Sequence, residues 1–317
     1  VAKYGRVYRN NSFGGRSVAL HGPEANELVM FDREKIFSSE QGWGPVLNLL
    51  FPRGLMLMDF DKHRADRKIL SVAFKPEPMR HYAESLNEGI KDRVASWSGK
   101  NFQFYAAIKK LTLDLAATSF LGIPFGPEAD KVNKAFVDMV QASIGVVRVP
   151  MPFTAMGRGA KGRAYLVEYF GRMVPERREG TGEDIFSQIC RARDDNGDYM
   201  SAEAIVDHMN FLMMAAHGVS PAYTHRMEEH WPEPEKFDPM RFSPEVARER
   251  HKYAWVPFGG GAHMCLGLHF AYMQAKIFFH HVITTHRIVV APGYEPKWQV
   301  LPIPRPKDGL MVTFAPL

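Results

Sequence analysis

The chain has 317 residues, 45% of them hydrophobic and 24% charged, with a formal net charge of +5 and two cysteines. That length and apolar content allow a sizeable core and exclude a disordered tail, a collagenous repeat and a disulfide-stapled miniprotein. Cys190 and Cys265 make no disulfide framework and point to a reducing compartment, and the interleaved charges show no block that would mark a nucleic-acid partner.

Residues 5–9 and 16–20 flank a stretch with Asn10, Asn11, Gly14 and Gly15, which predicts a hairpin. Gly22-Pro23 then opens a helix, with Leu28, Val29 and Phe31 as its apolar side. Residues 39–58, rich in Gly, Pro, Trp and Leu without clean periodicity, read as a long loop with apolar content, as in binding lids. From Asp61 to His217 the pattern is helical, with breaks near Pro124 to Pro127, Pro150 to Pro152 and Gly180 to Gly182. The clearest helix covers 201–217: Ser201 suits the N-cap, Glu203 complements the dipole, and Ile205, Met209, Leu212 and Ala216 recur at helical spacing. Its apolar end, residues 211–216, is expected to be buried, and is far shorter than the roughly 18 residues a membrane span needs. Cys190 falls on what reads as a polar helix and is assigned no function. The next forty or so residues are irregular and proline-rich, a last long helix runs from about Leu266 to Thr284, and the tail reads as edge strands and turns. Because the chain begins at Val1 and not at Met, further residues are expected to precede it, and a signal or transit segment is not assessable from this sequence.

The most informative stretch is Val256-Pro-Phe-Gly-Gly-Gly-Ala-His-Met-Cys-Leu-Gly-Leu-His-Phe270. Gly259 to Gly261 permit a backbone that lies flat against a planar ligand and visits positive φ. Cys265 stands at the mouth of a helix, where N–H groups and the dipole stabilise a thiolate, and Gly267 leaves that sulfur approachable. A thiolate donating electron density to iron is what oxygen–oxygen cleavage requires. Taken alone, the stretch also admits part of a zinc site from His263, Cys265 and His269, a cysteine nucleophile with a histidine base, or a structural cysteine beside a glycine-rich turn.

The pattern Phe258-x-x-Gly261-x-His263-x-Cys265-x-Gly267 resembles, at every position, the haem-ligand signature of the cytochrome P450 family. Three further matches follow the family's order. His63-Arg-Ala-Asp-Arg67 resembles its propionate-binding helix motif, a spacing of four setting both cations on one face. Phe211 to His217 resembles the first half of the helix that crosses over the haem, and Phe237-Asp-Pro-Met-Arg-Phe242 resembles the segment before the haem loop. The resemblance implies a mainly α fold with a smaller sheet-rich region, one domain over 1–317, and one haem b between the distal helix and the Cys265 loop. Cys265 would be the axial ligand; His63, Arg67 and His263 would contact propionates; Phe258, Gly261 and Gly267 would shape the loop. It implies insertion of one atom of dioxygen into an apolar small molecule, with electrons from a ferredoxin-type donor and its reductase, in the cytoplasm, with neither a membrane nor a nucleic acid as partner. The other reading is a haem-binding sensor or degenerate relative without turnover. Trp43, Val46, Leu47, Leu50 and Phe51 in the early segment, and Met213, Ala216 and His217 on the distal helix, are candidate substrate-lining residues, with Pro302-Ile-Pro304 on the far side. Lys62, Arg64 and Lys68 are candidates for docking an acidic electron donor.

Two family features are missing. Gly218 and Val219 stand where an acid and an alcohol relay protons, and the Glu-x-x-Arg matches at Glu77–Arg80 and Glu245–Arg248 are misplaced for the family's helix. Only 48 positions separate His217 from Cys265, too few for the elements usually found there. Either the segment is deleted or it is omitted at the 217/218 join; the expectation is omission, because a true deletion would leave Arg241 a buried cation without its partners.

Overall fold

The computed structural model describes residues 4–11, 15–145, 147–215, 224–299 and 305–317. In chain order it contains β1 (Val7–Asn10), β2 (Ser17–Leu20), α1 (Pro23–Phe31), α2 (Ser39–Leu47), α3 (Phe60–Leu70), α4 (Pro76–Ser96), β3 (Asn101–Gln103) and α5 (Phe104–Leu121). There follow α6 (Pro127–Ser143), α7 (Ala155–Glu179), α8 (Ile185–Arg191), α9 (Ala202–Ala215), α10 (Pro244–Glu249) and α11 (Leu268–Thr285). Strands β4 (His286–Val289), β5 (Trp298–Gln299), β6 (Arg305–Pro306) and β7 (Met311–Pro316) close the chain. Helices dominate and the strands form small antiparallel sheets, as the mainly α reading expects. Among the described residues no helix is long and apolar enough to cross a membrane.

The backbone divides into two compact units: Val1–Ser38 with Val219–Cys265, and Ser39–Gly218 with Leu266–Leu317. In the first, β1 and β2 form the predicted hairpin, Val7 facing Leu20 and Asn10 facing Ser17. Gly22, at φ 107, precedes Pro23 at the start of α1. The predicted apolar side of α1 is only partly right, because Leu28 and Val29 are 52% and 41% exposed. The helix is held from other positions: the Asn26 amide donates to the Tyr253 carbonyl (2.9 Å) and the Phe31 ring lies 4.7 Å from that of Tyr253. Farther on, Trp231, Phe242 and Trp255 form an aromatic cluster, with the Arg250 guanidinium 3.8 Å from the Trp231 ring.

Arg241 belongs to this unit and corrects an expectation. It is half-buried, and its guanidinium donates to the carbonyls of Pro232 (3.3 Å), Glu233 (3.2 Å), Lys236 (2.9 Å) and Asp238 (3.1 Å). Local carbonyls satisfy the cation, so it is not stranded.

The second unit carries the main core. Phe170 packs between Phe136 (6.1 Å) and Phe186 (5.4 Å), all fully buried, each such ring contributing about 2–3 kcal/mol by burial. Gly159 and Gly162 let α7 approach α6 closely: a Cβ at Gly159 would stand 2.4 Å from Ala142 Cβ, and one at Gly162 would stand 2.7 Å from the Ala135 carbonyl oxygen. A second aromatic group, Trp97, Phe102, Phe278 and Phe314, backs the β3-β7-β4 sheet, where Phe102 pairs with Val312 and Ile288 with Phe314.

Residues 39–58 are not a loop throughout. Residues 39–47 form α2, despite Gly42, Gly44 and Pro45, and 55–57 form a 3-10 turn. The Asp59 carboxylate accepts from the N–H groups of Ser39 (2.7 Å) and Glu40 (3.4 Å), so the cap comes from 20 residues downstream, beyond any local pattern. Helix α8 likewise departs from its polar reading: Ile185, Phe186, Ile189 and Cys190 are buried, and burial pushes the Cys190 thiol up to about 12. Helix α9 follows its prediction, with the Ser201 hydroxyl accepting from Ala204 N–H (3.2 Å) and Phe211, Leu212 and Met213 buried.

Candidate functional site

The Cys265 loop is built within the first unit. Cys265 is free and exposed, and its N–H donates to the Phe258 carbonyl (2.9 Å), closing the loop over a 3-10 turn at Gly261–His263. The three glycines do different work. At Gly259 (φ +72) the nearest atom a Cβ would meet is the His263 carbonyl oxygen at 3.9 Å, so its face is open. A Cβ at Gly260 would stand 2.8 Å from the Phe31 ring, and one at Gly261 (φ +60) 2.1 Å from the Met30 carbonyl oxygen. Two of the three therefore also seat the loop on the end of α1, a task the sequence reading did not assign them. Phe258 is half-buried and His263 exposed; Gly267 is the N-cap of α11 at φ −83, a conformation open to any residue.

His225 fixes the approach to this loop. Its Nε2 accepts the Val256 N–H (3.1 Å) and its ring lies 4.4 Å from Trp255. Burial pushes its pKa down from 6.5 to about 4. Between those values the unfolded chain binds the extra proton and the folded one does not, so stability rises with pH across the window. The contribution is complete above pH 6.5 and is lost as pH falls toward 4. Urea midpoints measured across this range are expected to fall on acidification, and His225→Gln, which keeps an acceptor without a titrating proton, is expected to flatten that slope.

In the second unit, α3 places His63 and Arg67 one turn apart, His63 buried and Arg67 half-buried. The neighbouring cations Lys62, Arg64 and Lys68 are exposed, but Lys68 pairs with Asp195 and Arg64 stands 3.5 Å from Asp61, which reduces the positive field they offer. Of the candidate substrate-lining residues, Leu47, Leu50, Phe51 and Met213 are buried in the core cluster with Val46 packed against it, and Trp43 is 38% exposed. Ala216, His217, Pro302, Ile303 and Pro304, and the 217/218 join, lie outside the described residues.

The sequence reading missed how α9 is held. Asp207 accepts from Arg53 (2.9 Å) and Arg163 (2.8 Å), and His208 Nε2 stands 2.9 Å from the Asp66 carboxylate on α3, between His63 and Arg67. Arg53 also pairs with Glu203, and the guanidinium draws that carboxyl below its usual range. These ties set the rotation of α9 about its axis. The signal was available as Asp207-His208-x-Asn210, polar residues in a helix otherwise read as apolar, all three buried.

Within the first unit, Cys265 is an accessible thiol in the same loop as Gly259, whose face is open; within the second, His63 and Arg67 stand one turn apart on α3. Among the described residues no group of three or more His, Cys, Asp or Glu side chains is placed to hold a metal ion, so the zinc reading gains no support. The cytochrome P450 family model matches residues 2–218 and 218–314. The "Putative cytochrome P450 136" of Mycobacterium tuberculosis is 31% identical over 392 aligned positions, which cover 94% of this chain and 80% of that protein. The "Putative cytochrome P450 120" of Synechocystis is 24% identical over 400 positions, covering 98% and 89%. A solved structure, retinoic acid-bound cyanobacterial CYP120A1, superposes with a TM-score of 0.90 at 23% identity, covering all of this chain and 93% of that one. The aligned positions outnumber the 317 residues here, so these relatives carry stretches without a counterpart, and the family match is interrupted at residue 218. The chain belongs to the cytochrome P450 family, whose members are haem-dependent monooxygenases.

Proposed function

We propose that the chain, as a single cytochrome P450 domain, hydroxylates an apolar small molecule with one atom of dioxygen, drawing electrons from a ferredoxin-type protein and its reductase in the cytoplasm. The observation that carries this reading is the free, exposed Cys265 in a loop closed by Phe258 and seated by Gly261. Bound haem supplies the redox chemistry and the oxygen activation. The chain's own residues have positional tasks. Cys265 would supply the thiolate that holds the haem iron, and Phe258 would shield its sulfur from water. Gly261 and Gly267 keep the loop close, while His63, Arg67 and His263 hold carboxylates by charge-assisted hydrogen bonds. Leu47, Leu50, Phe51 and Met213, with Val46 and Trp43, and Ala216 and His217 beyond them in sequence, provide an apolar lining. A similar chain has retinoic acid bound, which supports a long apolar substrate.

Gly218 and Val219, at the 217/218 join, carry no transferable proton on their side chains, and a chain that truly lacked the family's acid and alcohol would fail at proton delivery. The test is turnover of retinoic acid with a surrogate ferredoxin and reductase. Oxygenated product is the expected result. Haem-loaded protein that consumes electrons and returns retinoic acid unchanged, also across a panel of apolar terpenoids and fatty acids, would overturn it in favour of a sensor.

A further inference from the structure

We propose that His208 is a positioning residue: it draws the Asp66 carboxylate off the cationic face of α3 and so preserves the charge with which His63 and Arg67 meet an anion. That anion is a haem carboxylate, so the role rests on the function proposed above. Helix α3 carries Lys62, His63, Arg64, Arg67 and Lys68, with Asp61 and Asp66 among them. Asp66 stands four positions after Lys62 and three after His63, spacings at which opposite charges pair along a helix. Asp61 pairs in this way with Arg64, at 3.5 Å. Among the described residues Asp66 makes no such pair on α3. It turns instead to α9, in the same unit, where its carboxylate lies 2.9 Å from His208 Nε2.

The His208 side chain is fully buried, whereas that of Asp66 is 24% exposed. A carboxylate can only accept, so the bond uses the Nε2 proton of the ring. The other ring nitrogen, Nδ1, is buried without a hydrogen-bond partner among the described residues. An apolar side chain in that place would spare the cost of an unsatisfied buried nitrogen. The imidazole is therefore retained for the one bond it makes, and that bond fixes where the Asp66 carboxylate points.

A carboxylate released from His208 would have Lys62 and His63 one turn back and Arg67 beside it. It would then compete, from a fixed position, for the cations that an incoming carboxylate needs, and would repel that carboxylate as a like charge. Holding Asp66 on α9 removes the competitor without removing its charge from the helix. It also ties the setting of α9 to the helix that receives the anion.

The test is the rate at which the haem-loaded protein gives up haem to an excess of apomyoglobin, with the urea midpoint measured beside it. His208→Phe is expected to lose haem about tenfold faster than the parent. Asp66→Ala, which removes the competing charge, is expected to lose it no faster. Combining Asp66→Ala with His208→Phe is expected to restore the rate to within about twofold of the parent. His208→Gln, which keeps a donor, is expected to behave as the parent does. His208→Phe and Asp66→Ala are both expected to lower the urea midpoint, because each breaks the tie between α3 and α9. A purely structural tie predicts the opposite for Asp66: haem loss as fast from Asp66→Ala as from His208→Phe, with no recovery in the double variant. That result would overturn the proposal, as would a His208→Phe rate equal to the parent's. If His208→Phe does not fold, Asp66→Ala decides alone, a faster loss than the parent's overturning the proposal and an equal or slower one supporting it. A parent that takes up no haem would overturn the function proposed for the chain, and this role with it.

Discussion

Replacing Cys265 by serine is expected to lower turnover by at least about a thousandfold, equivalent to roughly 4 kcal/mol at the rate-limiting barrier. The same variant is expected to lose the strongly red-shifted Soret band of the reduced, carbon monoxide-bound protein, a signature of thiolate ligation. Cys265 is exposed and unpaired in a disulfide, on a loop closed by its own N–H and seated by Gly260 and Gly261 on α1. A serine preserves that backbone and removes only the sulfur, so the loss reads ligation and not folding. Cys190→Ser is the matched control. That thiol is fully buried in the other unit and held protonated by its burial, and its substitution is expected to leave the Soret band in place. A parent protein without the red-shifted band, or a Cys265→Ser variant that keeps it, would remove Cys265 from the role of ligand.

The second large effect concerns stability. Asp207→Ala is expected to destabilise the protein by about 3 kcal/mol, read as a shift in the urea midpoint. Its carboxylate is almost fully buried and takes hydrogen bonds from two guanidinium groups, Arg53 at 2.9 Å and Arg163 at 2.8 Å. Removing it leaves two converging cations with no shared anion, the case in which a broken buried pair costs most. The lower end of the usual 3–5 kcal/mol range applies because Arg53 keeps solvent contact and Glu203 as a second partner. Asp207→Asn, which preserves an acceptor without the charge, is expected to lose about half as much. Equal losses for the two variants would show that Asp207 acts by packing and not by pairing.

Elements that depend on short windows were legible in the amino-acid sequence. The hairpin at β1 and β2, the start of α1 at Gly22-Pro23, the Ser201 cap of α9 and the long helix α11 all follow from turn residues, proline geometry and periodicity within a few positions. The same holds for the backbone of the Cys265 loop, where the informative residues lie within ten positions of one another. Tertiary structure alone decided the rest, because the partners are distant in sequence. Helix α2 exists where glycine and proline argue against it, capped by Asp59 from 20 residues away. Gly260 and Gly261 are required by the end of α1, more than two hundred positions earlier, and not by a ligand alone. The setting of α9 rests on Arg53, 154 positions from Asp207, and on Asp66, 142 positions from His208. A polar residue in an apolar pattern signals that some partner exists, but only the folded chain, by bringing distant segments within 3 Å, decides which one it is.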